Sequence, residues 1–157
     1  MLLTVFQALE SSPVGDAMHK SLWLFPIVEG FHLVGLALIG GAILIVDFRL
    51  LGLVLREQAL ARIARNMQPW VIGSLSMMIL SGVPLFISEA IKCYYSFAFW
   101  TKMAALSLAI LFTFTIRRFV TLAPEGRFSI QLNRIVAITS IVLWATVGWG
   151  GRWIGFS

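Results

Sequence analysis

The chain predicts an all-α integral membrane bundle of four spans, and three observations support this. Hydrophobic residues fill 59% of its 157 positions and charged residues only 12%, against about 25% charged in water-soluble domains. With a mean hydropathy of +0.92, no water-facing surface can be assembled. Four apolar stretches each reach the roughly 20 residues that a helix needs to cross a bilayer. The lysines and arginines gather on alternate connections rather than spreading evenly. This composition speaks against a soluble enzyme, a disordered chain and a nucleic-acid binder, although the pI is 10.2.

The elements follow in order within a single domain, residues 1–157. The apolar start lacks the basic n-region of a cleaved signal peptide, and residues 2–10 read as a short amphipathic helix lying outside the bilayer. The first span covers about residues 26–55 and opens on Pro26, which suits a first helical turn because no N–H is needed there. Residues 56–68 (REQALARIARNMQ) read as an amphipathic connector on the membrane surface. The second span, about 69–91, opens on Pro69 and carries Pro84 inside it, where a kink is expected. The third covers about 97–119. Ala123-Pro124-Glu125-Gly126 turns the chain into the fourth, about 130–156. Periodicity inside the spans is weak because they are apolar on most faces, and the alternating short strands of an outer-membrane barrel are missing from the pattern.

Orientation comes from the cations. Arg49, Arg56, Arg62 and Arg65 lie at the first connection, and Arg117, Arg118, Arg127 and Arg134 at the third. Lys20, Lys92, Lys102 and Arg152 fall at the opposite end. The positive-inside rule then places both termini outside, which is periplasmic for a multi-pass protein of a bacterial inner membrane. Trp23, Tyr94, Tyr95, Trp100, Trp149 and Trp153 form an outer aromatic belt, and Trp70 marks the inner boundary.

Ionisable side chains at membrane depth are costly, and each is by default a functional-site hypothesis. Near the outer face they converge: Glu29 and His32 on the first span, Lys102 and Met103 on the third, Arg152 on the fourth, with Ser81 and Pro84 of the second at a similar level. Glu29 and His32 are spaced i, i+3 and share a face. Glu-x-x-His is also the spacing of di-metal bundles, but those need a second such pair and more carboxylates, which this chain lacks. The plain reading is an ion pair of Glu29 with Lys102 or Arg152 that fastens helices together, with His32 hydrogen-bonded beside it. A sharper reading is haem b, with His32 as the axial metal ligand and Lys102 and Arg152 meeting the propionates. Gly35, on the face of His32, would let a flat macrocycle or another helix come close. Met103, or His32 of a symmetry-related copy, would complete the ligand set. A third reading is copper(I), which favours the Met, His and Cys represented here by Met18, His19, Met77, Met78, Met103 and Cys93.

The remaining features have structural readings. Ala37 and Gly41 have the small-xxx-small spacing of close helix contacts within a subunit or between copies, and Gly148, Gly150 and Gly151 do the same for the fourth span. Asp47 and Arg49 are placed to pair with Arg117 or Arg118 at the inner boundary. The inner arginines also suit anionic lipid headgroups. No Ser/His/Asp set, phosphate-binding loop or pair of catalytic carboxylates marks a hydrolase or an NTPase.

Several segments carry a family likeness. They are residues 9–15 (LESSPVG), 21–35 (SLWLFPIVEGFHLVG), 41–52 (GAILIVDFRLLG), 99–102 (FWTK) and 149–153 (WGGRW). Together the chain resembles a bacterial four-helix integral membrane family of unknown function. That family is distantly similar to CopD-type copper-resistance membrane domains and to small b-type cytochrome bundles. The resemblance implies a compact inner-membrane bundle with Glu29, His32, Asp47, Arg49, Lys102 and Arg152 at motif positions. Two functions follow as expectations. One is a haem b redox subunit passing electrons between a periplasmic donor and a quinone pool. The other is a non-catalytic subunit of a larger complex or homo-oligomer, in which the same residues form a polar tie. Helices two to four carry no histidine, so within one chain only His19, which precedes the first span, stands beside His32 as a second imidazole.

Overall fold

The computed structural model describes residues 1–154. Among them every regular element is helical, and four helical stretches are long and apolar enough to span a membrane. Two short helices come first: α1 (Leu2–Glu10) and α2 (Pro13–Lys20). The spans are α3 (Leu24–Leu50), α4 (Leu60–Ser88), a composite third helix and α8 (Ile130–Ile154). The third consists of α6 (Phe97–Phe112), one π-helical turn (Thr113–Arg117) and α7 (Arg118–Leu122). A short α5 (Ala90–Tyr95) joins α4 to α6. In space α4 packs on α3, α3 on α8 and α8 on α6, while α7 returns to α4 and closes the bundle at its arginine-rich end.

Outward-facing side chains are apolar along all four spans: Leu80 is 75% exposed, Leu111 62%, Phe119 60% and Ile135 61%. Such a surface is compatible with acyl chains and not with water. Inside, Ile39, Ile43 and Ala42 of α3 meet Val71 and Met78 of α4, Ala105 and Ala109 of α6, and Trp144 and Val147 of α8. Lipid is as apolar as these side chains, so the helices are held by close packing and polar contacts rather than by expulsion from water.

Several boundaries differ from the sequence expectation. The first span ends at Leu50 rather than near residue 55. There Gly52 takes φ +75°, its N–H bonds to Arg49 O at 3.0 Å and Leu53 N–H bonds to Phe48 O at 2.9 Å. This is a Schellman stop, which needs the left-handed conformation that glycine adopts without strain. The surface connector does not form. Only residues 51–59 link the spans, and Leu60 to Gln68 are the first turns of α4 itself. Pro69 therefore lies inside α4 alongside Pro84 rather than at its start, and each costs one i→i−4 hydrogen bond. The long helix can begin early because Glu125, from the loop before α8, supplies the missing cap. Its Oε1 accepts the Leu60 N–H at 3.2 Å and pairs with Arg49 Nη2 at 3.4 Å. Arg49 Nε also donates to Gln58 O at 3.0 Å, so one arginine holds both arginine-end loops. The expected end of the fourth span at residue 156 lies outside the described residues.

The amphipathic helix expected at residues 2–10 is α1. It buries Phe6 against Phe86 and Tyr94, with ring centroids at 5.5 and 5.3 Å. Glu10 Oε2 accepts the Ile91 N–H at 2.8 Å and so ties α1 to the start of α5. The second short helix, α2, was not expected. Its signals are Ser12, whose Oγ accepts from Gly15 N at 3.4 Å, and Pro13 in the first turn.

Candidate functional site

Two polar sites lie within the spans, at opposite ends of the bundle. The one at the end carrying α1 and α2 is built on α3 and α4. His32 Nδ1 stands 2.9 Å from Ser81 Oγ, and Ser81 Oγ stands 2.7 Å from Met77 O. A hydroxyl has one proton to give. With that proton directed at the Met77 carbonyl, Nδ1 carries a hydrogen and donates to Ser81. The ring lies against Gly82, where an added Cβ would come within 3.2 Å of His32 Cε1.

Lys102 of α6 is half-buried and within electrostatic range of His32. Its stem crosses α8 at two glycines. A Cβ added to Gly150 would sit 3.0 Å from Lys102 Cβ, and one added to Gly151 would sit 3.4 Å from Lys102 Nζ. Large residues at these positions would push α8 away from α6.

The structure thus pairs His32 with Ser81 and leaves Lys102 within electrostatic range of the imidazole. It does not add Glu29, which is exposed and, among the described residues, makes no ion pair with Lys102 or Arg152. The ion pair expected there is absent because Glu29 lies on the outward side of α3. Arg152 is exposed near the end of α8, and Met103 is 39% exposed. Gly35 is filled from α4: an added Cβ would stand 2.8 Å from Met78 Cγ. Of the two uses foreseen for this missing side chain, the approach of another helix is the one realised. Gly41, by contrast, has nothing within 4 Å of such a Cβ.

Among the candidate copper residues, Met18 and Cys93 are buried while His19 is exposed. Burial is the larger cause, with Glu89 second, that pushes the Cys93 thiol up to about 11, so it is protonated at neutral pH. Among the described residues no group of three or more His, Cys, Asp and Glu is placed to hold a metal ion.

The second site, at the arginine-rich end, joins three spans. Asp47 of α3 is 0% exposed. Its Oδ1 accepts from Arg117 Nε at 2.7 Å, and Arg117 Nη2 donates to Ile43 O at 3.1 Å. Arg117 closes the π-helical turn, and Thr113 opens it. Thr113 Oγ1 accepts from Trp144 Nε1 of α8 at 3.1 Å, which satisfies an indole N–H in the core. Ser140, one turn before Trp144, is also 0% exposed and close enough to act on the Asp47 carboxyl. A narrow cleft of about 40 Å³ reaches Arg117 and Thr113 between α4 and the third span, with Gln68, Arg118 and Thr121 on its walls.

The pairing of Asp47 with Arg117 was among the sequence expectations. The parts contributed by Ser140, Thr113 and Trp144 were not. Their signal is present in the i, i+4 spacings Thr113/Arg117 and Ser140/Trp144, each of which puts two hydrogen-bonding groups on one face of an apolar helix.

Residues 17–157 match the model of a family described as "Family of unknown function (DUF6644)", and the chain belongs to that family. No curated protein and no solved structure matches it.

Proposed function

We propose that this multi-pass membrane protein is a non-catalytic subunit, built to hold a larger complex or a homo-oligomer together. It would sit in a bacterial inner membrane with both termini outside, as the arginine distribution suggests. One observation carries this reading: His32 and Gly35, the two residues that an intrachain cofactor would most need, are both spent on contact with α4. In this reading His32 is an interhelical tie.

A second reading is favoured by one feature of the same contact. Metal-ligating histidines almost always hydrogen-bond through their other ring nitrogen to a neighbouring group, and His32 Nδ1 stands 2.9 Å from Ser81 Oγ in that manner. His32 would then be the axial ligand of haem b, with Lys102 as a propionate partner and a quinone or periplasmic protein as redox partner.

The absorption spectrum of the purified protein decides between them. The subunit reading expects no Soret band, and expects His32→Ala to lower thermal stability without spectral change. A Soret band that shifts on dithionite reduction and disappears in His32→Ala overturns it in favour of haem. Stoichiometric copper without a Soret band overturns both and points to copper handling.

A further inference from the structure

A wider cleft, of about 400 Å³, opens at the end of the third span between α7 and the loop that follows it. Its size lies within the ~300–1,000 Å³ of sites that take small molecules. Its walls are of two kinds. Arg118 and Arg127 are cationic, whereas Phe119, Leu122 and Pro124 are apolar. Thr115 also lines the cleft, but its hydroxyl donates to Leu111 O. The two guanidiniums therefore supply the positive charge and the side-chain donors.

These arginines differ from their neighbours in what they already hold. Arg117 is paired with Asp47, Arg49 with Glu125, and Arg56 donates to Gly52 O. Among the described residues Arg118 and Arg127 make no ion pair. The acid closest to Arg127 in sequence, Glu125, is turned to the Leu60 N–H and Arg49. Arg127 is nonetheless held in place. Its guanidinium carbon lies 5.6 Å from the centre of the Phe119 ring and 5.7 Å from that of Phe128, within cation–π range. An arginine stacked on rings still presents the N–H edge of its fork, which suits a phosphate.

Position selects the anion. The apolar stretch of the third span ends at Leu122, so Arg118 lies in its last turns and Arg127 just beyond it. Headgroups meet acyl chains at this level. Phe119 and Ile116, 53% exposed, continue the apolar surface beside the cleft. A free anion would use only the guanidiniums, whereas a phospholipid would use both kinds of wall.

We infer that this cleft binds an anionic glycerophospholipid, with its phosphate held between Arg118 and Arg127 and an acyl chain laid along Phe119 and Ile116.

The test is lipid binding to the delipidated full chain in detergent, read by native mass spectrometry with phosphatidylglycerol, phosphatidylcholine and inorganic phosphate as probes. The expected result is a preference for phosphatidylglycerol that weakens about thirtyfold in Arg118→Gln/Arg127→Gln, roughly fivefold for each arginine. Arg62→Gln/Arg65→Gln removes the same charge from exposed positions at the same end and should leave the preference unchanged. Equal losses in the two variants would reveal a diffuse basic surface and overturn the site. Equal binding of phosphatidylcholine, or displacement of phosphatidylglycerol by an equal concentration of inorganic phosphate, would overturn the lipid as occupant. A photoactivatable phosphatidylglycerol on the wild-type protein needs no variant. Its cross-links should fall within residues 115–127, and cross-links concentrated instead in the loop of residues 51–59 refute the inference.

Discussion

The two polar sites differ in what they ask of the bilayer. At the terminal end an imidazole meets a serine across two helices, and the nearby carboxylate of Glu29 stays outside the packing. At the arginine-rich end a full negative and a full positive charge are buried together, with side chains contributed by three spans. His32 draws the eye, but the larger electrostatic commitment lies at the other end. Breaking a buried pair by removing one partner strands an uncompensated charge, whereas breaking a neutral contact strands only a dipole. The comparison therefore predicts unequal consequences of mutation.

The largest effect is expected for Arg117→Ala, which leaves Asp47 buried without its cation. A loss of about 3–5 kcal/mol should appear as a collapse of monodisperse protein on size exclusion. The double variant Asp47→Leu/Arg117→Met should recover most of it, because replacing both partners with apolar side chains removes the stranded charge. Failure of that rescue would mean that the pair has a role beyond neutralisation.

Next comes Gly35→Ala, which forces α3 and Met78 apart at a cost of about 1–3 kcal/mol. Gly41→Ala, with open space around it, should be close to neutral. Thermal melts of the two variants measure the contrast directly. His32→Ala should cost less, about 0.6–1.7 kcal/mol, the range of single side-chain hydrogen bonds in membranes. A loss as large as that of Arg117→Ala would erase the distinction between the two ends.

The smallest effect concerns Cys93. Its thiol titrates near 11 when folded, above the value near 9.0 of an ordinary thiol, so the folded state holds that proton more tightly. Stability is unaffected below pH 9 and should decline as pH rises from there toward about 11. Maleimide labelling of the folded protein should be slow at pH 7.5 and fast after unfolding. Rapid labelling of the native protein would show that α5 opens readily.

Much of this architecture is legible from apolar length alone. The four spans and α1 follow from it, because a bilayer tolerates few alternatives. What is not legible is set by partners distant in sequence. The surface connector gives way to the start of α4 because Glu125, 65 residues away, caps Leu60. Gly35 reads equally as a cofactor slot or a helix contact until Met78 is seen against it. Glu29 and His32 share a face by spacing, yet small differences in azimuth leave one exposed and the other turned toward Ser81. The Asp47–Arg117 pair can be guessed from its charges. Its depth cannot, since depth depends on how the third span winds.

That winding has a consequence for the chain's tolerance to length change. A π-helical turn takes up one residue more than an α-helical one, and each residue of an α-helix advances the azimuth by about 100°. Deleting a single position within the π turn would convert it to an α turn and leave the azimuth beyond nearly unchanged, whereas a deletion in the α-helical stretch before it would swing everything beyond by more than a quarter circle. The guanidinium would then be delivered to hydrocarbon, and Asp47 would lose its counter-ion although every side chain of the pair is still encoded. In this stretch the spacing of residues matters as much as their identity.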